Sequence, residues 1–346
     1  VINAAPPRLG HQVVGMTDRV NVLVTGGAGY IGSHMVLALL DAGHSPLILD
    51  DFSTGHEQLV PVGVPVIRGN VGDREVTDRL FADHKIDAVA HFAASIVVPE
   101  SVADPLKYYL NNTVSTARLI KACVNAGVGR FIFSSTAAVY GNQDESLIGE
   151  EAGCWPENPY GTSKLMSEQI LGDASKAHDL SYVGLRYFNV AGADPAGRAG
   201  QLSKPATHLI KVALEVATGQ RDVMQVFGTD YPTDDGSCIR DYIHVTDLIA
   251  AHMAALEHLL GGGGSLTLNC GYGKGSSVHQ VLESVARLSG TNLNVEMAAR
   301  RAGDAAALVA DSTRLRNRLG WQPQLDDLDG IVRSALAWER NQLGNG

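Results

Sequence analysis

A glycine-rich turn between an apolar strand and an apolar helix constrains this fold most strongly. Residues 20–24 form a short apolar run. Gly26, Gly29 and Gly32 follow at three-residue spacing, and an apolar helical pattern begins at Ile31. The first glycine permits a tight turn, the second lets the backbone approach a pyrophosphate, and the third lets the helix pack closely on the sheet. Because a helix N-terminus offers free N–H groups to phosphates, this segment predicts a dinucleotide site.

The composition limits the class of protein. The 346 residues are 45% hydrophobic, enough for one large core or a large domain with a smaller one. The formal net charge of −10 argues against a general nucleic-acid or anionic-membrane surface, but allows an anionic small substrate held by a few arginines. No apolar run approaches the roughly 18 residues of a membrane span. The four cysteines lack paired metal-ligand spacing, so we expect reduced cytosolic thiols and no metal site.

The first residues resemble neither a signal peptide nor a structured element. Residues 1–15 contain Pro6 and Pro7 and lack a basic n-region followed by an apolar core. Met16, just before the first strand, is typical of a translation start. We therefore expect residues 1–18 to form a poorly ordered tail of a cytoplasmic protein.

An acidic residue ends the second predicted strand. Residues 46–49 are apolar, and Asp50 follows them. Its distance from Gly32 is close to the roughly 20 residues expected for the carboxylate that binds an adenosine ribose. A carboxylate there accepts hydrogen bonds from the ribose hydroxyls and repels a 2′-phosphate. The sequence therefore favours NAD over NADP as the cofactor.

Strands and helices alternate through the first half of the chain. Further strands are predicted at 64–67, 87–92, 130–134 and 181–187, and further helices at 73–84, 101–126 and 158–178. This alternation predicts an α/β fold with a Rossmann-type, doubly wound parallel sheet. We assign residues 19–188 to an NAD-binding domain built on that sheet.

The alternation loosens after residue 188. Helices are predicted at 205–218, 245–260 and 326–342, with short strands at 265–269 and 293–295. We assign residues 189–346 mainly to a smaller C-terminal α/β lobe that binds the substrate, with some segments returning to the sheet. The glycine run at 261–264 has no helix directly after it and is interpreted as a connector.

A tyrosine and a lysine share one face of the helix predicted at 158–178. Asn158 suits the N-cap and Pro159 the first helical position. Tyr160 and Lys164 are four residues apart and therefore lie side by side. A free tyrosine, with a pKa of about 10, is a poor base at neutral pH, but a neighbouring ammonium or nicotinamide cation favours the phenolate. After a dinucleotide motif, this pair predicts a general acid/base for alcohol oxidation, with Thr136 holding the reacting alcohol.

Several longer strings are more specific than the glycine motif. They are FIFSST at 131–136, VYG at 139–141, LRYFN at 185–189, FGTDYPT at 227–233 and RDYIHV at 240–245. Together with the glycine motif and the Tyr160/Lys164 pair, they resemble the UDP-sugar 4-epimerases, a branch of the extended short-chain dehydrogenase/reductase family. The resemblance runs from about residue 20 to the C-terminal helix.

The resemblance implies a reaction and an assembly. Tyr160 would take the proton of a sugar 4-hydroxyl while C4 passes a hydride to tightly held NAD. The 4-keto sugar would turn over in its pocket and take the hydride back on its other face. The implied reaction interconverts UDP-glucose and UDP-galactose in galactose metabolism. The implied homodimer pairs the helices predicted at 101–126 and 158–178 with their copies.

The resemblance also assigns residues to the two ligands. The implied cofactor residues are Gly26, Gly29, Tyr30, Ile31, Gly32, Asp50, Asn70, Val71, Phe92, Ala93, Ala94, Asn111, Tyr160, Lys164 and Tyr187. The implied substrate residues are Thr136, Tyr160, Asn189, His208, Leu209, Val226, Phe227, Arg240, Arg301 and Asp304. Arg240 and Arg301 would suit a diphosphate because a guanidinium offers forked donors.

Some positions depart from the family pattern. Ile96 stands where some members carry a lysine, Asn70 replaces an aspartate near the adenine, and Val190 replaces a proline. His208 replaces an asparagine that touches the substrate. Leu308 aligns with the position that gates the sugar C2 substituent, and its intermediate size leaves acceptance of UDP-GlcNAc open.

The sequence leaves alternatives. The chain could epimerise another UDP-sugar, such as UDP-GlcNAc, a pentose or a uronate. A sugar-nucleotide 4,6-dehydratase needs a further acid/base, which such enzymes carry as an Asp-Glu pair after the threonine. Here Ala137 and Ala138 occupy those positions, which argues against dehydration. A non-catalytic NAD-binding protein would be expected to have lost the Tyr160/Lys164 pair, which is intact.

Overall fold

The computed structural model describes residues 19–203, 206–301 and 305–344, so the predicted tail at 1–18 lies outside the described residues. Within these ranges the strands are β1 (Asn21–Thr25), β2 (Ser45–Asp50), β3 (Val66–Arg68), β4 (Ala88–His91), β5 (Arg130–Thr136), β6 (Leu147–Ile148), β7 (Ser181–Tyr187), β8 (Asn189–Ala191), β9 (Met224–Phe227), β10 (Ile239–His244), β11 (Leu266–Cys270), β12 (Gly275–Ser277), β13 (Val295–Ala298) and β14 (Ala307–Ala310). The α-helices are α1 (Tyr30–Asp41), α2 (Arg74–Asp83), α3 (Val98–Ala103), α4 (Pro105–Tyr108), α5 (Ser115–Ala126), α6 (Pro159–Ala177), α7 (Leu209–Ala217), α8 (Val245–Leu260), α9 (Val278–Ser289), α10 (Thr313–Leu319) and α11 (Leu328–Gly344).

Seven strands form one parallel sheet in the order β11-β7-β5-β4-β1-β2-β3. The predicted doubly wound parallel sheet of a Rossmann-type α/β fold is therefore confirmed. β1 pairs with β2 on one side and with β4 on the other, so the strand order reverses beside it. In open α/β sheets, ligands bind at this reversal, outside the carboxyl ends of the strands.

Helices cover both faces of this sheet. Val22 and Val24 of β1 are fully buried in a core shared with α1 and α8. Leu23, between them, is fully buried in a second core with α2, α5 and α6. Successive side chains of a strand point to opposite faces, so a strand covered on both sides needs an unbroken apolar run. Val22, Leu23 and Val24 meet that requirement.

Residues 265–269, expected in the C-terminal lobe, belong to the large sheet instead. β11 is its edge strand and pairs in parallel with β7, with Leu266 opposite Val183 and Cys270 opposite Tyr187. α8, which has the predicted bounds, packs against β5 and β7. α8 and β11 are thus segments that return to the sheet. Because β11 and β7 are far apart in sequence, no local pattern could reveal their pairing.

The rest of the C-terminal half forms smaller sheets. One has the order β12-β10-β14-β6, with β8 also paired to β10, and β9 pairs with β13. The sequence analysis identified only β13 among these strands, because most are short and pair with distant segments. It also missed α9, although Ser277 and Gln280 form a capping box at its start, which is a readable signal.

The prediction of one continuous helix over 101–126 is wrong. α3 ends before Asp104, since a residue preceding proline avoids the helical region and Pro105 follows. The Asp104 carboxylate accepts a hydrogen bond from the Lys107 backbone N–H and so restarts the helix as α4. A π-helical turn, Tyr109–Val114, then joins α4 to α5.

The first turn of α6 packs directly on a tight turn at Ala137–Val139 that follows β5. Gly161 makes this approach possible. A Cβ at Gly161 would lie 2.4 Å from the Ala138 carbonyl oxygen and 3.0 Å from Pro156 Cβ. This packing brings the start of α6 to the carboxyl end of β5.

We expect Gly161→Ala to lower the free energy of unfolding by about 1–3 kcal/mol, because the added methyl forces α6 away from the turn. Gly172→Ala in the same helix is the matched control. Its Cβ would meet only the Tyr182 hydroxyl, at 3.6 Å, so helix propensity should make it neutral or stabilising by up to about 1 kcal/mol. Urea unfolding measures both, and equal effects would contradict the packing argument.

Candidate active site

The glycine turn after β1 has a shape that only glycine supports. Gly26 has a φ of 69°, and a Cβ there would lie 2.7 Å from the Ala93 backbone nitrogen in the loop after β4. A Cβ at Gly32 would lie 2.1 Å from the Gly26 carbonyl oxygen. Gly29, the N-cap of α1, provides no side-chain cap, so the first N–H groups of α1 are available to a phosphate. The turn therefore fits the pyrophosphate of a dinucleotide.

Asp50 joins the second strand to this turn. Its carboxylate is buried and accepts hydrogen bonds from the Ala28 backbone N–H at 2.9 Å and the Phe52 backbone N–H at 2.8 Å. Burial raises the pKa of Asp50, and these two hydrogen bonds oppose the rise. Asn70, beyond β3, donates to the Asp51 carboxylate at 2.9 Å. These groups lie at the carboxyl ends of β2 and β3, where an adenosine would meet them.

Most of the remaining predicted cofactor residues lie near the carboxyl ends of the strands of the large sheet. Tyr30 and Ile31 begin α1, and the Tyr30 hydroxyl donates to the Gly192 carbonyl at 2.6 Å. Val71 is buried beyond β3, and Phe92, Ala93 and Ala94 follow β4. The His91 ring is buried between the Thr25 hydroxyl at 2.6 Å and the Thr116 hydroxyl at 2.8 Å. Burial lowers the pKa of His91 to about 3, so the ring is neutral.

Thr136 and Tyr160 meet at the carboxyl end of β5. Tyr160 is buried, and its hydroxyl is hydrogen-bonded to Thr136. Burial raises the pKa of Tyr160, and the Thr136 hydrogen bond opposes that rise. The ring of Tyr108 packs edge-on against Tyr160, with 6.5 Å between centroids. Tyr160 is thus a protonated phenol in a dry setting.

Lys164 lies one turn further along α6 and is almost fully buried. Its Nζ donates to the Ser134 carbonyl at 2.8 Å and lies 4.9 Å from the centroid of the Phe133 ring. Burial lowers the pKa of Lys164 to about 7, while the Glu168 carboxylate opposes this. At Tyr160 the effect of burial on the pKa outweighs that of the Thr136 hydrogen bond, so Tyr160 needs positive charge beside it to become a base. That Lys164 supplies such charge stays a prediction.

A buried ion pair underlies these groups. The Arg186 guanidinium donates to both oxygens of the Glu168 carboxylate, with a shortest distance of 2.6 Å. The Ser135 hydroxyl also donates to Glu168, and Arg186 donates to the Tyr140 hydroxyl at 3.0 Å. Tyr140 in turn donates to the Asn269 side-chain oxygen at 2.6 Å. This network connects α6 to β5, β7 and β11.

Tyr187 and Phe92 contact a histidine that the sequence analysis missed. Tyr187 shares a short hydrogen bond with the Ser134 hydroxyl. The His252 ring lies 4.9 Å from the Phe92 ring and 6.3 Å from the Tyr187 ring, centroid to centroid. His252 is fully buried, its Nδ1 faces the Leu248 carbonyl at 2.9 Å, and its Nε2 has no partner among the described residues. No local sequence signal identifies it.

Two consecutive asparagines on the π-helical turn face Ser95. The predicted Asn111 donates to the Ser95 hydroxyl at 3.0 Å. Asn112, which the sequence analysis did not select, accepts from the Ser95 backbone N–H at 2.8 Å and donates to the Ser95 carbonyl at 2.9 Å. It also donates to the Ser163 hydroxyl of α6 at 3.0 Å. Asn112 therefore holds the loop after β4 against the helix that carries Tyr160 and Lys164.

Apart from Thr136 and Tyr160, the predicted substrate residues that the structure describes fall into two groups. Asn189, His208 and Leu209 line one cavity between β8, α7 and α11. In the smaller sheets, the Arg301 guanidinium carbon lies 3.7 Å from the centroid of the Phe227 ring.

Two more of the predicted substrate residues belong to the second group, the one in the smaller sheets with Arg301 and Phe227. Val226 of β9 is buried, and Arg240 of β10 donates to the Ile239 and Ala305 carbonyls at 2.8 and 2.9 Å. Asp304 lies outside the described residues, and its role stays a prediction.

Metal-binding clusters and membrane-spanning helices are both absent from the described ranges 19–203, 206–301 and 305–344. In these ranges no group of three or more His, Cys, Asp or Glu side chains could hold a metal ion. No helix there is both long enough and apolar enough to span a membrane.

Comparisons with known proteins give related sequences and structures. A model of the NAD dependent epimerase/dehydratase family matches residues 22–271. The UDP-glucose 4-epimerase of Azospirillum brasilense is 56% identical over 330 residues, 94% of this chain and 95% of that protein. The structure of UDP-glucose 4-epimerase from Brucella ovis with NAD has a TM-score of 0.89 at 46% identity, covering 92% of this chain and 98% of that one. The Bifidobacterium longum UDP-glucose 4-epimerase with NAD+ and UDP has a TM-score of 0.89 at 38% identity, covering 94% and 100%.

We expect Arg186→Met to lower the free energy of unfolding by about 3–5 kcal/mol, because it leaves the Glu168 carboxylate buried without its partner. Adding Glu168→Gln should restore part of this loss. Arg74→Met, which breaks an exposed ion pair with Asp78, is the control and should cost less than about 1 kcal/mol. Urea unfolding measures all three variants. A similar cost for both arginine variants would contradict the assigned importance of the buried pair.

Proposed function

Because the chain belongs to the NAD dependent epimerase/dehydratase family, we propose that it epimerises a UDP-hexose at C4 and so interconverts UDP-glucose and UDP-galactose. The observation that carries this proposal is the meeting of Thr136, Tyr160 and Lys164 at the carboxyl end of β5, on the same edge of the parallel sheet as the glycine turn after β1. The near full-length similarity to UDP-glucose 4-epimerases confirms the resemblance read from the sequence.

The proposed acid/base is Tyr160. Its phenolate takes the proton of the sugar 4-hydroxyl, which the Thr136 hydroxyl orients by a hydrogen bond. NAD, held by the residues after β1, β2 and β4, would supply the reversible hydride acceptor that this chemistry needs. After the 4-keto sugar has turned over, Tyr160 returns its proton to the new 4-hydroxyl. The protein therefore needs one residue that works as base and then as acid.

Electrostatics decide when Tyr160 can act as a base. Burial raises the pKa of Tyr160, so the phenolate needs compensation by positive charge. Lys164 supplies part of it, and Glu168, one turn away, favours its charged form. A nicotinamide cation bound at this site would supply the rest. Tyr160 would then act as a base only beside the oxidised cofactor.

The cofactor end of the site supports NAD that stays bound between turnovers. The glycine turn would hold the pyrophosphate, and the Asp50 carboxylate would accept hydrogen bonds from the adenosine ribose hydroxyls. Asn70 and Asp51 would lie beside the adenine, Asn111 and Phe92 would line the nicotinamide half, and Lys164 would bind its ribose. Because each turnover restores the oxidised form, release of the cofactor is not part of the cycle.

The lobe holds the nucleotide end of the substrate. Arg240 and Arg301 pair with the diphosphate, and Asn189 and His208 contact the same UDP moiety. Leu308 packs beside the turn after Thr136, in the apolar cluster with Tyr140 and Phe188, which supports its role at the sugar C2. Its size leaves UDP-GlcNAc as a second substrate to be decided by assay.

A homodimer in the cytoplasm is part of the proposal. Apolar side chains at four-residue spacing are exposed along α3, α4 and the π-helical turn: Val98, Val102, Leu106, Leu110 and Val114. Met166 of α6 adds to this surface, and α3 and α4 pack against α6. A continuous apolar surface of this kind marks an interface, and an identical copy would cover it.

The purified protein should convert UDP-galactose to UDP-glucose without added NAD. Tyr160→Phe should keep its NAD but lose about 10²–10⁴-fold in kcat, because it removes the acid/base. Tyr182→Phe is the matched control. Tyr182 lies near the amino end of β7, away from the carboxyl end where the site lies, so this variant should retain activity. Sugar nucleotides are separated by chromatography, and NAD is measured after denaturation. No conversion by NAD-loaded protein would refute the function, and full activity of Tyr160→Phe would refute the role of Tyr160.

Leu106→Glu combined with Leu110→Glu should convert the dimer to a monomer, because two charges would be buried in the proposed interface. Val62→Glu is the control, since Val62 is fully exposed and lies off this surface. Light scattering at micromolar concentration measures the mass of each form. A monomeric wild-type protein would contradict the proposed assembly.

A further inference from the structure

A buried glutamine lies behind the cavity that contains Asn189, His208 and Leu209. Gln201 lines this cavity and is 7% exposed. Its side-chain Nε2 lies 2.7 Å from His208 Nδ1. An amide nitrogen can only donate, so Nδ1 accepts this hydrogen bond.

The terminal helix holds Gln201 in place. The Trp338 indole N–H of α11 donates to the Gln201 carbonyl at 3.2 Å. The preceding Gly200 packs flat on the Trp338 ring, where a Cβ would lie 2.5 Å from the ring atoms. The Gln201 backbone is thus fixed on one side by an aromatic ring and on the other by the wall of the cavity. The Gln201 side chain therefore extends to His208 from a backbone whose position is fixed.

The hydrogen bond decides which ring nitrogen of His208 carries the proton. Burial lowers the pKa of His208, so the ring is neutral at neutral pH. A neutral imidazole that accepts at Nδ1 carries its proton on Nε2. No protein group among the described residues is hydrogen-bonded to Nε2. The ring therefore keeps one N–H donor, at Nε2, that no described protein group uses.

Among the described residues, the charged groups near His208 form ion pairs with one another, and none of them is hydrogen-bonded to the His208 ring. Lys211 of α7 pairs with Glu339 of α11 at 2.5 Å and with Glu215 at 3.8 Å. Tyr242 of β10 also lines the cavity, and burial raises its pKa, so it stays protonated. These are the titratable groups that α7, α11 and β10 bring to this cavity. The Gln201 amide is the one hydrogen-bond partner of the His208 ring in the described part of the chain.

We infer that Gln201 is a positioning residue of the sugar-nucleotide site: it holds His208 in the tautomer that presents Nε2–H to an acceptor oxygen of the substrate. This inference rests on the proposed function for the identity of the ligand. An asparagine at position 208 could offer a donor or an acceptor by rotating its amide. A histidine fixed by Gln201 offers only a donor, which suits the oxygens of a diphosphate or a sugar hydroxyl.

The first test observes the tautomer directly and needs no activity. Full-length protein labelled with 15N-histidine is compared with His208→Asn, which identifies the His208 ring signals by their loss. The two ring nitrogens of a neutral imidazole have distinct 15N shifts, so the spectrum shows which one carries the proton. We expect the Nε2–H tautomer in the wild-type protein. The Nδ1–H tautomer would overturn the inference, whatever the enzyme does.

The second test replaces the donor by an acceptor of the same shape. In Gln201→Glu the carboxylate accepts from Nδ1–H, so Nε2 carries a proton only while the ring is an imidazolium. As pH rises through the ring's pKa, Nε2 loses its proton and its contact with the substrate. We expect kcat/KM for UDP-galactose, relative to wild type, to fall about tenfold over that range, with most of the change in KM. The wild-type ring donates from Nε2 throughout.

Controls separate this effect from others. Gln58→Glu introduces the same charge at an exposed glutamine and should follow the wild-type pH profile. A Gln201→Glu profile parallel to wild type would overturn the inference. If wild-type protein fails to convert UDP-galactose, the proposed function falls, while the tautomer measurement still decides the role of Gln201.

Discussion

The buried contact between Glu168 and Arg186 is the interaction on which the rest of the site depends. A charge pair in the interior is costly unless every oxygen and N–H group finds a partner, and here Ser135 and Tyr140 complete the set. Three members of the network are close in the chain to proposed ligand-binding residues. Glu168 follows Lys164 by one turn of α6, and Ser135 and Arg186 immediately precede Thr136 and Tyr187. The contacts that stabilise the fold therefore also align the reacting groups.

The topology of the large sheet places the aligned groups beside the point where the strand order reverses. The strand order reverses between β1 and β4, and the loops after these strands touch, with the Gly26 turn against Ala93. A dinucleotide lying over this reversal has one half towards Asp50 and the other towards β5 and β7. The proposed cofactor site and the proposed acid/base Tyr160 lie close together because parallel strands all end at the same edge of the sheet. In the proposed function, the lobe holds the nucleotide end of the substrate.

The sequence revealed features that follow from local spacing. The Gly26 turn and the Tyr160/Lys164 pair each lie within a few residues, and the presence of the parallel sheet strands up to β7 follows from their alternation with helices. What it could not reveal depends on contacts between distant segments. The pairing of β11 with β7, the place of Gln201 behind His208, and the partnerless Nε2 of His252 have no local pattern. The pKa of Lys164 is also a property of burial, which residue spacing does not report.

The π-helical turn at Tyr109–Val114 constrains the number of residues in this segment of the chain. Regular α-helices advance by about 100° per residue. Removing one residue would restore a regular helix and rotate α4 against α5 by that angle, so Asn111 and Asn112 could no longer both face Ser95 while Leu110 faces outward. Substitutions at the outer positions leave this division intact. Evolution of this segment should therefore accept changes of side chain far more readily than insertions or deletions.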